Sequence, residues 1–534
     1  FFDIHTFCCN PMQFYHFLDV NYSGNVISFK GIKAGTITAI IHAKESTNYL
    51  AGHIRLTFNI TAPSGGGSGS GGGSGSVTPP TPPTPPDVPT TPSASVKPSV
   101  SPDGTATGKV DSSVIDGLIN KADSKTEEVV VDVNAPGNAD QVNTELPAAS
   151  LKDLADKTNA DLTISTPVTN VTLPQEALEE LGKIDGTVTV TVAQADSGTA
   201  EAPGTKIQVT VTNDGTQVRV GVTATVPGKV IEDMSSRDNS SVTVSTPAAE
   251  ITLPNKTLKA MGGKNVNVTT SVGDNAVTID VKRDSTSIGD MDMKVSLPMD
   301  DSASEGTVAF MVIDGRETLL PKSIMTDGSL NVLLNTGKAT IVYKDNSKTF
   351  GDSTKIPSWA KASFASSRGL IAGIEDASGT VNFAPNKPTT RGQLVAMLHR
   401  LESKPNAGNS SFDDVSDSSW YAEAAAWGKQ TGIVAGTSAG FQGNRNISRQ
   451  EIVMMLYQYM NKVTGAKGTS KEYSGVGDAS SVGSWASDAM KWAYGSGIIF
   501  GKPAGGSTNL APKDTATRAE VSAILERFVK LIAE

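Results

Sequence analysis

Ser448-Arg449-Gln450-Glu451 followed by Ile452-Val453-Met454-Met455-Leu456-Tyr457 is a polar start running into an apolar helix, and it occurs three times in the chain. The other copies are Thr390-Arg391-Gly392-Gln393 before Leu394-Val395-Ala396-Met397-Leu398, and Thr517-Arg518-Ala519-Glu520 before Val521-Ser522-Ala523-Ile524-Leu525. A hydroxyl residue followed three positions later by Glu, as in Ser448/Glu451 and Thr517/Glu520, predicts a capping box in which each side chain satisfies a backbone N–H of the first turn. The arginines have no such explanation, because a cation in the first turn opposes the helix macrodipole.

Working outward, each start is preceded by the same landmarks. The first copy carries Phe350-Gly351-Asp352, Trp359-Ala360, Gly369 to Gly373 and Phe383-Ala384-Pro385; the second Phe412-Asp413-Asp414, Trp420, Trp427, Gly432 to Gly436 and Phe441. The third carries Tyr473-Ser474-Gly475, Trp485, Trp492, Gly497 to Gly501 and Leu510-Ala511-Pro512. The leading tryptophans are 61 and 65 residues apart, and each copy is expected to form helix, glycine-flanked loop, helix. Trp427 and Trp492 follow their leading tryptophans by two helical turns and are expected in the core. Trp359, Trp420 and Trp485 suit either a core position or the wall of a site. Arg391, Arg449 and Arg518 suit either an anionic ligand, held by a bidentate guanidinium, or pairing with an acid of the chain such as Asp352 or Asp414.

This constellation resembles three S-layer homology domains, on Phe-x-Asp, Trp-Ala, Gly-Ile-x-x-Gly and Thr-Arg-Ala-Glu, over residues 350–534. The resemblance implies an all-α pseudo-trimer of repeats, 350–405, 406–466 and 467–534, that binds secondary cell-wall polysaccharide in the grooves between copies, commonly through a pyruvylated, anionic sugar. It assigns ligand contact to Arg391, Arg449, Arg518, Trp359, Trp420, Trp485, Asp352 and Asp414. Gly475 stands at the acid's place in the third copy, and Gln393 replaces the motif glutamate in the first; the grooves of Arg449 and Arg518 are therefore expected to bind best.

Upstream, the chain divides by composition. Residues 65–76 are only Gly and Ser, and residues 77–102 hold ten prolines, so residues 63–103 read as a disordered linker with polyproline II stiffness. Before it, Val26-Ile27-Ser28-Phe29-Lys30-Gly31 and Thr36-Ile37-Thr38-Ala39-Ile40-Ile41 alternate as strands around a turn. They resemble the C-terminal half of bacterial Ig-like domains of the Big family, a partial all-β module over residues 1–62. The opening Phe1-Phe2-Asp3 has no basic stretch ahead of an apolar run, and the chain is expected to lack its natural start.

Between linker and tail, Leu162-Thr163-Ile164-Ser165-Thr166-Pro167 matches Val242-Thr243-Val244-Ser245-Thr246-Pro247, and Leu173-Pro174 matches Leu253-Pro254, at a constant offset of 80. Residues 104–349 are thus a duplicated, β-rich α+β region, with Leu146-Pro147 marking a partial third copy. Its alternating Val/Thr runs predict half-exposed strands, and each Leu-Pro a helix start. A stiff stalk or binding platform is the expected role.

The 534 residues include two Cys, at adjacent positions 8 and 9, and five His, with His399 alone beyond residue 53. A disulfide framework and paired-His metal sites are excluded; no cofactor, metal or catalytic residue is expected. Net charge is −10, yet residues 351–534 hold 19 Lys+Arg against 16 Asp+Glu. An acidic body with a slightly basic tail argues against nucleic acid, and no apolar run is long enough for a bilayer. The reading is a non-enzymatic, extracellular cell-wall protein of a Gram-positive-type bacterium, anchored by its tail, with an outward partner the sequence does not name. The alternatives are an anchor for a glycanase or protease domain lying upstream, or a self-assembling S-layer subunit.

Overall fold

The computed structural model describes backbone for residues 2–7, 18–23, 26–31, 35–43 and 52–60, and side chains as well for most of 91–534; residues 138, 301–302, 409–411, 465–467, 506 and 534 lie outside the description, as does the side chain of residue 504. Two compact units result, Phe1–Asp87 and Val88–Glu534.

In the first unit, Gly35–Ala43 pairs antiparallel with both Phe2–Phe7 and Gly52–Ile60, and Leu18–Ser23 pairs with Val26–Gly31. The strands expected around residues 26–41 are present; the Ig-like assignment itself rests on the resemblance alone. The Gly/Ser run and residues 77–90 lie outside the described residues. The linker expected to reach residue 103 ends sooner. Ser93–Val96 pairs in parallel with Glu128–Val133, and Ser99–Val100 pairs with Ala106–Lys109. Prolines 92 and 98 flank these strands instead of interrupting them, and both strands lie at sheet edges, where a missing N–H is tolerated.

The middle region consists of two eleven-stranded sheets around one contiguous core. Alternation dictates this arrangement: in Glu128–Val133 and in the first half of Thr187–Gly198 every second residue is buried valine, which leaves one face of each strand to be covered. The duplicated hairpins occupy opposite sheets. Asp161–Ser165 and Asn170–Leu173 lie in one sheet, their copies Ser241–Ser245 and Glu250–Pro254 in the other, so each 80-residue step carries equivalent strands across the core. Helices Gln175–Leu181 and Asn255–Met261 start directly after Pro174 and Pro254, as the Leu-Pro signal predicts. Cross-strand threonine hydroxyls pair at 2.7 Å (Thr163/Thr172), 2.8 Å (Thr223/Thr269) and 3.0 Å (Thr243/Thr252), linking the half-exposed faces.

The tail packs around a second core that joins all three repeats. Its long helices are Arg391–Leu401, Arg449–Tyr459 and Arg518–Ala533, with Ala362–Ser367, Ala422–Gln430 and Ser487–Gly495 as their partners. The tail is not wholly helical: hairpins Ile374–Glu375/Val381–Asn382 and Lys502–Ala504/Ser507–Asn509 form within the loops between helices, because an Asx turn at Asp376 and the glycine-rich stretch near 505 favour tight reversal. The middle region and the tail meet through Arg368, a buried side chain that donates to the carbonyls of Ser323 and Glu305.

Candidate functional site

The three acids of the repeats organise loops. Asp352 accepts the N–H groups of Phe383 and Ala384 at 2.7 and 2.8 Å, and Asp414 those of Phe441 and Gln442 at 2.7 and 2.6 Å. Ala384 and Gln442 have φ of 54° and 56°, a left-handed conformation that costs on the order of 1–3 kcal/mol in a residue with a side chain. The carboxylate offsets this with two charge-assisted hydrogen bonds. Burial pushes the Asp414 carboxyl up, but the N–H donors of Gln442 and Phe441 outweigh it and hold it below the usual range.

In the third repeat the acid is Asp478, not a residue aligned with Gly475. It accepts from Leu510 and Ala511, both at 2.8 Å, and Ala511 has φ of 50°. The spacing carried this signal: Asp478 precedes Trp485 by seven residues, as Asp352 precedes Trp359.

Both expected capping boxes form, and Thr390 with Gln393 makes the same arrangement in the first repeat. The arginines beside them turn away from their own helices and reach the next repeat. Arg391 Nε donates to Phe441 O at 2.9 Å and its Nη2 to Ala435 O at 3.3 Å. Arg449 reaches Leu510 O and Phe500 O at 2.9 and 3.3 Å. Arg518 closes the ring on the first repeat, at Phe383 O and Ala372 O, 2.7 and 2.6 Å. All three are buried, and burial lowers each guanidinium pKa from its ordinary value. All three bond to carbonyls of the next repeat, and Arg391 and Arg449 also face its capping-box glutamate; none is ion-paired with Asp352 or Asp414. Nη1 of Arg391 lies 3.1 Å from Glu451, and Nη1 of Arg449 lies 3.8 Å from Glu520.

The leading tryptophans stand outside the core: Trp359, Trp420 and Trp485 are 51%, 62% and 54% exposed, whereas Trp427 and Trp492 are buried as expected. Each exposed ring flanks the long helix of another repeat. Ser522 on the third helix donates to Lys361 O just after Trp359; Tyr421, edge-on to Trp420, packs on Gly392; and Gly483, just before Trp485, donates to Gln450 at 3.0 Å. Each boundary between repeats thus sets an exposed ring beside a long helix of its neighbour. The groove beside Trp359 encloses about 390 Å³, lined by Arg449, Phe500, Lys502, Glu520 and Arg527, with Arg527 stacked over Phe500 at 4.6 Å. Aromatic walls with a few cations suit an anionic ring of sugar size. Among the described residues no His/Cys/Asp/Glu group of three is placed to hold a metal, and no helix is long and apolar enough to cross a membrane.

A family model described as S-layer homology domain matches residues 349–395, 411–453 and 477–522. The chain is 34% identical over 203 residues to Exoglucanase XynX of Acetivibrio thermocellus, covering 38% of this chain and 18% of that protein. It is 31% identical over 181 residues to Amylopullulanase of Thermoanaerobacterium thermosulfurigenes, covering 33% and 9%. It is 30% identical over 195 residues to the Surface-layer 125 kDa protein of Lysinibacillus sphaericus, covering 36% and 16%. The chain therefore spans less than a fifth of the length of these relatives. It carries three S-layer homology domains, and its place is the cell surface.

Proposed function

We infer that the tail anchors the chain non-covalently to the bacterial cell wall by binding secondary cell-wall polysaccharide, through an anionic sugar, in the grooves between repeats. The observation that carries this reading is one exposed tryptophan per groove beside a buried, inward-anchored arginine. An exposed indole offers a flat apolar face to a pyranose ring, and the cations favour a carboxylate. Three weak contacts on one chain raise retention through effective concentration. The tail is read as an anchor and not a catalyst, a reading supported by Asp352, Asp414 and Asp478, each tied to two backbone N–H groups.

What the anchor holds outward has two readings, favoured by the two kinds of relative: a glycan-degrading domain, or a lattice-forming surface layer. Ordered sheets of purified protein under the electron microscope would favour the lattice, and persistent monomers would count against it.

The anchoring test is co-sedimentation of the full chain with purified sacculi, before and after acid removal of the non-peptidoglycan polymer. Binding should disappear with the polymer, and Trp359→Ala/Trp420→Ala/Trp485→Ala should abolish it without unfolding the tail. Equal binding to stripped sacculi would turn the reading toward peptidoglycan.

A further inference from the structure

We propose that the three grooves are unequal, and that the one formed by Arg518, Trp420 and the Arg391–Leu401 helix is the primary acceptor of a carboxylate-bearing sugar, a step that rests on the polysaccharide reading above. Backbone pairing fixes the equivalences: Arg391 N donates to Arg445 O, Arg449 N to Asp514 O and Arg518 N to Lys387 O, at 3.0, 3.0 and 2.9 Å. Lys387, Arg445 and Asp514 therefore hold one position in the three repeats. Gln393, Glu451 and Glu520 hold another, at the third residue of each long helix.

At these positions the grooves differ in charge. Beside Trp485, Glu451 pairs with two cations, Arg391 at 3.1 Å and Arg445 at 2.6 Å, and so removes one of their two positive charges. Beside Trp359, Lys502 is held by Glu520 at 2.9 Å and Asp514 at 3.3 Å, and Glu520 also faces Arg449. Beside Trp420 both acids are gone: the neutral Gln393 replaces the glutamate, and Lys387 replaces Asp514. Among the described residues neither Arg518 nor Lys387 has an ion-pair partner. Arg518 uses Nε and Nη2 on carbonyls, while its Nη1 has no carboxylate where Arg391 and Arg449 have one. Asp352 lies near Arg518, but Asp414 and Asp478 stand in the same relation to Arg391 and Arg449, so this acid does not distinguish the groove. Glu375, at the rim in the place of Pro503, is exposed and makes no ion pair with Arg518.

A buried guanidinium without a directly paired carboxylate is a costly arrangement that an incoming carboxylate relieves. In the other two grooves a ligand carboxylate meets cations that already share a glutamate, and that glutamate repels it. Gln393 is thus a specificity-determining residue: it keeps the capping hydrogen bond to Thr390 N at 3.0 Å while leaving the charge of Arg518 to the ligand.

The test is Gln393→Glu in the full chain, titrated calorimetrically with soluble oligosaccharides released from sacculi by acid. Glutamate serves the same cap in the other repeats, so the fold and Tm should hold. Affinity should fall about tenfold, the worth of one charge-assisted contact, while Glu520→Gln should gain affinity in the groove beside Trp359. With the same oligosaccharides after chemical reduction of their carboxyl groups, Gln393→Glu and wild type should bind alike. Should wild type bind the acidic oligosaccharides and Gln393→Glu match it, the unequal-groove assignment falls and the anchor stands. If wild type fails to bind intact sacculi, the anchor reading itself falls and takes this assignment with it.

Discussion

Arg391 Nη1 lies 3.1 Å from Glu451 Oε1, although the residues are 60 positions apart and begin the long helices of successive repeats. The contact turns a local motif into a tertiary one. Each Arg-containing helix start satisfies its own first turn through a hydroxyl paired with Glu or Gln, then sends its guanidinium to carbonyls of the next repeat. The third repeat sends its own back to the first. The cyclic order 1→2→3→1 closes the tail without chain connection between its ends, so loss of one arginine opens one of three equivalent seams.

Arg391→Met should therefore cost stability before it costs binding. The side chain is buried and serves two carbonyls and a carboxylate; removing it strands those groups, a loss of about 3–5 kcal/mol. Arg391→Lys should recover little, since an ammonium cannot reproduce the fork geometry. Thermal unfolding of the full chain, followed by tryptophan fluorescence, would report this, and an unchanged midpoint would show that the seam contributes nothing. Arginine substitutions are for the same reason poor probes of ligand contact, which is why exposed tryptophans are the better choice.

Acid should weaken the seam between the first two repeats. Burial pushes the Glu451 carboxyl up, but hydrogen bonds from Arg445 and Ser448 and the charge of Arg391 prevail and hold it at about 2, against an ordinary 4.5. A folded pKa below the unfolded one contributes stability that is fully present above about 4.5 and lost as pH falls toward 2. Its ceiling is about 3 kcal/mol. Denaturation of wild type and Glu451→Gln across pH 2–6 should give curves that converge at the acid end, separate as pH rises from 2 to about 4.5, and keep a constant gap above it. Parallel curves would remove Glu451 as the acid-sensitive group.

Much of this was legible in the residues. The order Trp, Gly-x-x-x-Gly, Thr-Arg-x-Glu fixes the repeat because each element is a local device, a cap or a turn, readable at its own position. The core placement of Trp427 and Trp492 followed from helical spacing alone. The destination of the arginines was not legible, since a buried cation bonded to carbonyls 44 to 146 residues away leaves no local signature. Asp478 was obscured because the third repeat replaces the aromatic before the acid with Val476, and counting back from Trp485 recovers it. Strands near residues 93–100 were hidden by flanking prolines, whose effect depends on being at a sheet edge, a property of the fold and not of the segment.

The joint between middle region and tail should behave as a fixed elbow whose rigidity depends on Arg368. Its side chain is 1% exposed, lies 3.8 Å over the Phe364 ring and donates to Ser323 O at 2.9 Å and Glu305 O at 3.2 Å. Burial depresses its pKa to about 10, with Glu305 and Glu526 countering, so it stays charged at neutral pH. Lys322 reinforces the joint from the middle region, 2.6 Å from Glu402, which also accepts from Tyr459 of the second repeat. Arg368→Met keeps the apolar stem while removing the donors; where wild type should unfold its middle region and tail together, the variant should show two transitions as they lose their coupling. Limited proteolysis within the largely exposed residues 345–349 should then run faster than in wild type. A single transition with unchanged protection would place the coupling in the apolar packing of Ile324 against the tail core instead.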